Sequence, residues 1–192
     1  MLSLKNKRTI FMKKILSLLP LIAALVICAL PVSAMARLSP HETVSTVVSG
    51  GRVMVVYGRP YTTKPGTKVA RKIWGGLVPY GKVWRMGADE ATLLVTQKAL
   101  NFGGTTVPAG AYTLFLLAQE DGTAKLIISK DVGQWGEEYT EANDFARVDL
   151  KKATLDTPVD QFTMAITDNG GSGTLKLSWE NAEYSVAFTP AP

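Results

Sequence analysis

Between Lys72 and Leu94 the chain reads KIWGGLVPYGKVWRMGADEATLL, with two tryptophans, an arginine and an Asp-Glu pair in one glycine-punctuated block. Such residue types hold polar, ring-shaped or charged small molecules: aromatic faces stack, a guanidinium fork grips carboxylate or phosphate, and acids accept hydroxyl protons. Trp74, Tyr80, Arg85 and Glu90 supply these groups here, and Gln134 with Trp135 adds more from further along. Carried by loops on a rigid sheet, the six would line one concave patch that binds a ligand. The same types also build cores. On that second reading Trp74 and Trp84 are buried aromatics, Gly75, Gly76 and Gly81 turn the chain around Pro79, and Arg85 forms a buried ion pair with Asp89 or Glu90. Sequence leaves both roles open to Arg85 and Glu90.

Several catalytic chemistries lack their residues. His41 is the sole histidine, and it lies near the start of the exported chain, a poor place for the base of a Ser-His-Asp or Cys-His set. Ser172, among Gly170, Gly171 and Gly173, lacks the spacing of a nucleophile elbow and reads as a hairpin loop. Zinc prefers three or four His or Cys ligands, so no metal site and no cofactor are expected. No glycine loop leads into a helix to cradle phosphate. Asp89-Glu90 and Glu137-Glu138 could serve a glycosidase only if a carboxylate pair were assembled across the fold, because sequence neighbours point to opposite faces of a strand. Asp168 and Asn169 offer one carboxylate toward calcium, and a turn rich in Asn and Gly explains them better. No catalytic residue is assigned.

The elements that must position these groups are strands. TVSTVVS and RVMVVYG flank Gly50-Gly51, which suits a tight hairpin; ATLLVTQ, ALNF, TTVPAG and AYTLFLLA follow, and Asp121-Gly122 turns the last into AKLIISK. ARVDLKK, QFTMAIT, TLKLSWE and YSVAF complete about ten strands, with Phe162, Met164 and Ile166 on one face of QFTMAIT. Hairpins in series imply an all-β, antiparallel, two-layer β-sandwich of jelly-roll type, with barrel closure as the alternative. Runs such as LFLL, apolar on both alternating faces, favour the sandwich. One short helix is allowed in GEEYTEANDFAR, and Pro190-Ala191-Pro192 reads as a loose tail.

Compartment follows from the first residues. Lys13 and Lys14 precede an apolar stretch from Ile15 to Leu30, then Pro31 and small residues, the three-part plan of a cleaved signal peptide. The cut is placed after Ala34, with Ala36 as the alternative, leaving one domain from residue 35 to residue 192. Removal of residues 1–34 takes five of the 21 basic residues and none of the 16 acidic ones. The exported remainder is therefore neutral, and the basic isoelectric point argues for no nucleic-acid partner. The only cysteine, Cys28, lies in the apolar stretch behind bulky Ile27, so neither lipidation nor disulfides hold the domain, and no membrane contact is expected after cleavage.

The run RKIWGGLVPYGKVWRMGADEAT, together with VPAGAYTLF, the QWG at Gln134 and the closing LSWENAEYSVAF, resembles the bacterial domain of unknown function 2911 over nearly the whole exported chain, Ser39 to Phe188. The resemblance implies an exported, β-rich domain and brings no activity; at Met86 this chain departs from the small polar residue usual there. Taken together, the sequence describes a periplasmic or secreted module that binds a small polar ligand or glycan. A structural or envelope-assembly protein without a small ligand, and a carboxylate-dependent hydrolase, are the alternatives.

Overall fold

The computed structural model describes residues 38–191; the signal-peptide expectation for residues 1–34 lies outside them. The described residues form one antiparallel sheet of ten strands: β1 (His41–Val48), β2 (Gly51–Gly58), β3 (Val83–Trp84), β4 (Thr92–Thr96), β5 (Leu100–Phe102), β6 (Thr105–Val107), β7 (Gly110–Ala118), β8 (Ala124–Ser129), β9 (Asp144–Asp168) and β10 (Gly173–Pro190). Their order is β1-β2-β4-β7-β8-β9-β10-β5-β6, with β3 paired to β7. The path ends at β1 and β6 and does not close into a barrel.

Two long strands carry the chain between layers. β9 pairs first with β8, from Asp144 to Leu150, and then with β10, from Lys151 to Asp168. Sequence patterning reads β9 as ARVDLKK plus QFTMAIT and β10 as TLKLSWE plus YSVAF; the structure joins each pair into one strand. The register shifts on either side of Glu180, which takes a left-handed φ of 49°. A bulge of this kind bends a strand without ending it.

Folding the path over brings β2 against the far half of β9. Tyr57 meets Phe162 edge-on with ring centres 5.7 Å apart, Trp84 meets Phe162 at 5.2 Å, and Trp84 stacks on Trp179 at 5.7 Å. Phe162 and Met164 are buried here as their alternation predicts, with Ile166 packed beside them. A second apolar layer lies on the other face of β7 and β8, where Phe115 pairs with Ile127 and both are fully buried. Its cover is the loop after β8: the Tyr139 ring lies 5.0 Å from Phe115. The two-faced apolar character of LFLL thus reflects a sheet covered on one side by its partner layer and on the other by a loop.

Turns follow residue chemistry with small shifts. The β1–β2 loop is Ser49-Gly50, φ 46° and 74°, the pair of positive angles that a tight hairpin requires; Gly51 already belongs to β2. The only helical piece among the described residues is a single 3₁₀ turn, Glu141–Asn143, inside the segment where a short helix is allowed. At the other end Pro190 pairs with Leu100, and the Ala191 N–H donates to the Ala99 carbonyl at 2.7 Å.

Candidate functional site

β3 delivers the chain into the most unusual backbone of the molecule. Trp84 points into the core, Arg85 points outward, and within the next four residues Met86 (φ 50°) and Asp89 (φ 65°) both adopt left-handed angles. Non-glycine residues at such angles cost roughly 1–3 kcal/mol each and persist only where surroundings over-determine them. Here the surroundings are specific. The Thr92 hydroxyl donates to the Met86 carbonyl at 2.8 Å inside the core. Gly58, closing β2, lies so near that a Cβ on it would sit 2.2 Å from the Ala88 carbonyl oxygen. Met86 is completely buried and fills core space.

The 131–140 loop then docks on this turn. The Gly136 N–H donates to the Asp89 carbonyl at 3.0 Å, the Ala91 N–H donates to the Gln134 carbonyl at 3.2 Å, and Glu90 and Trp135 form an antiparallel bridge. Gln134 is the loop's anchor to the sheet, its amide donating to the Thr113 hydroxyl at 3.1 Å. Arg85 crosses the join: Nε donates to the Gly87 carbonyl at 3.2 Å and Nη1 pairs with Glu137 Oε1 at 2.8 Å. The expected partners Asp89 and Glu90 are turned away by the left-handed backbone. Both face His41, whose Nε2 lies 3.2 Å from Asp89 Oδ2 and 3.4 Å from Glu90 Oε2. His41 itself is fixed by β1, paired with Gly58 across the hairpin, where chain position alone suggests a mobile residue.

Of the six sequence candidates, the structure gathers Arg85, Glu90, Gln134 and Trp135 around the docked loop and leaves two elsewhere. Trp74 packs on Tyr184 at 5.3 Å and donates its indole N–H to the Trp179 carbonyl at 3.3 Å. Tyr80 packs against the core beside it and closes on Gly75. Trp135 is about half exposed, at 48%. Asp168 uses its carboxylate on the N–H groups of Gly170 and Gly171, at 3.2 and 3.4 Å, as a turn cap.

Beside the docked loop lies a cleft of about 470 Å³, within the size range of small-molecule sites. Trp84 and Trp179 reach it from the core, Leu77, Pro79 and Phe115 add apolar wall, and Arg71, Arg85, Asp89, Glu137 and Tyr139 add polar groups. Arg85 and Asp89 have partners already. Arg71 differs: it makes no ion pair among the described residues, its Nη2 donates to the Tyr61 carbonyl, and its buried Nε has no hydrogen-bond partner. Burial pushes its guanidinium pKa down. Tyr139 donates to Asp144 at 2.8 Å and accepts from Arg147 at 2.8 Å; burial first, then Asp144, pushes its phenol up to about 12.

Residues 39–188 match the model of a protein family described as of unknown function, DUF2911. The chain belongs to the DUF2911 family. No curated protein matches it, and no solved structure does. Arg71 and His41 are the two side chains that sequence reasoning missed. Arg71 directly precedes the Lys72–Leu94 block in the chain, and His41 joins Asp89 and Glu90 only through strand register. Composition carried no signal for either.

Proposed function

We propose that this domain is an extracytoplasmic binding module for a small ligand that combines a ring with an anionic group, such as an acidic sugar. The observation that carries the reading is Arg71: a guanidinium on the cleft wall with no carboxylate partner among the described residues and one buried N–H still to be satisfied. A guanidinium left without a carboxylate partner is a side chain that grips carboxylate or phosphate through charge-assisted hydrogen bonds. Leu77 and Pro79 give the cleft an apolar wall, which suits the apolar face of a ring. The leader-like first 34 residues support placement outside the cytoplasm.

Calorimetric titration of the purified protein with glucuronate, glucose and benzoate tests this. Glucuronate should bind, glucose should bind at least tenfold more weakly, and Arg71→Gln should lose at least tenfold in glucuronate affinity with its melting temperature within a few degrees of wild type. Absence of glucuronate and benzoate binding, or equal affinities for wild type and Arg71→Gln, would refute the reading.

A further inference from the structure

We infer that His41, Asp89 and Glu90 form a three-ligand site for a divalent first-row transition metal, with zinc the simplest occupant. The inference stands on these three groups and does not depend on what the cleft holds. Their donor atoms all lie within 4.8 Å of one another. Bonds of about 2.0–2.2 Å to a tetrahedral ion set donor-to-donor edges near 3.3–3.6 Å; His41 Nε2 stands 3.2 Å from Asp89 Oδ2 and 3.4 Å from Glu90 Oε2.

A plain hydrogen bond explains only part of this arrangement. One imidazole N–H serves one acceptor well, yet two carboxylates converge on the same nitrogen, and bringing two like charges together is unfavourable without a cation between them. A divalent ion resolves both features at once. It takes the imidazole lone pair and one oxygen from each acid, and three protein ligands leave a position open. Imidazole with carboxylates suits zinc, iron or manganese better than magnesium or calcium, which favour all-oxygen sets, and better than soft ions, which favour thiolates.

The backbone at all three ligands is fixed. His41 is held by its register with Gly58, Asp89 by its left-handed turn and the Gly136 N–H on its carbonyl, and Glu90 by its bridge to Trp135. Asp89 also lines the cleft.

Because His41 is the sole histidine, its imidazole is a unique reporter. The full-length chain, stripped with chelator and dialysed, is titrated with zinc chloride by calorimetry and by imidazole ¹⁵N resonance. One equivalent of zinc should bind with micromolar affinity or tighter and shift the imidazole signals; magnesium should bind at least a hundredfold more weakly. His41→Ala and, as a variant at a more exposed side chain, Glu90→Gln should each lose at least tenfold in zinc affinity. Unmoved imidazole signals at one equivalent, magnesium binding as strong as zinc, or a Glu90→Gln protein that binds zinc as wild type does would overturn the site.

Discussion

Tyr57 shows how much one hydroxyl can hold. It accepts the Met164 N–H at 2.8 Å and donates toward Glu42 Oε2 at 3.3 Å, joining β2 to β9 across the core. Tyr57→Phe keeps the ring but strands a buried backbone donor, at a cost of about 1–3 kcal/mol. For a domain of this size that is a melting-temperature loss of roughly 2–12 °C. Arg85 offers the opposite case. Its side chain is 26% exposed and its partner Glu137 is 75% exposed, so the pair is worth about 0–1 kcal/mol. Arg85→Leu should therefore leave the melting curve within about 4 °C of wild type. Differential scanning calorimetry of both variants decides: a larger loss for Arg85→Leu than for Tyr57→Phe would invert this ranking. Sequence gave Arg85 the wrong ion-pair partner, because Glu137 lies 52 positions away while two acids sit in the same block. What separates Arg85 from those acids is backbone handedness at Met86 and Asp89, and neither residue type advertises a positive φ.

Among elements, the 86–90 turn matters most, since every candidate function borrows its position. Its seat is Gly58, where added Cβ would collide with backbone and not with a side chain that could swing aside. Gly58→Ala should lift the turn off β2 and separate His41 from Asp89 in the same movement. Overpacking of this kind costs about 1–3 kcal/mol, so thermal melting should fall by several degrees, and zinc affinity should fall with it. A Gly58→Ala protein with unchanged melting and unchanged affinity would show that the turn is seated by something else. Strands with clean alternation, such as Leu175, Leu177 and Trp179 in β10, were legible from spacing alone. The continuity of β10 was not, because the left-handed Glu180 breaks the period of two where the hydrogen-bonded ladder continues, nor was that of β9, whose exposed middle carries no apolar alternation. β3, with two residues, is too short to carry any period; only the tertiary pairing with β7 makes it a strand.

Across the whole molecule, tyrosine hydroxyls tie the layers and loops together, and they do so as neutral phenols. Burial comes first among the causes that push the phenols of Tyr57, Tyr112, Tyr139 and Tyr184 up, and Tyr139 reaches about 12. An unfolded tyrosine ionises near 10. A folded value above the unfolded one means that the native state keeps its proton while the unfolded state releases it. The stabilisation is therefore complete below about pH 10 and disappears as pH climbs through the folded values, with Tyr139 the last to go near 12. Melting temperature should hold between pH 8 and 9.5 and fall steadily above about pH 10, as the unfolded state releases protons that these four phenols keep in the fold. Tyr139→Phe should flatten the upper part of that fall, because the replaced ring keeps its contact with Phe115 and has no proton to lose. If the melting temperature instead stayed unmoved as pH rose from about 10 to about 12, these four phenols would be solvated, and the hydroxyl bonds of Tyr57 and Tyr139 would not hold the layers and the 131–140 loop in place.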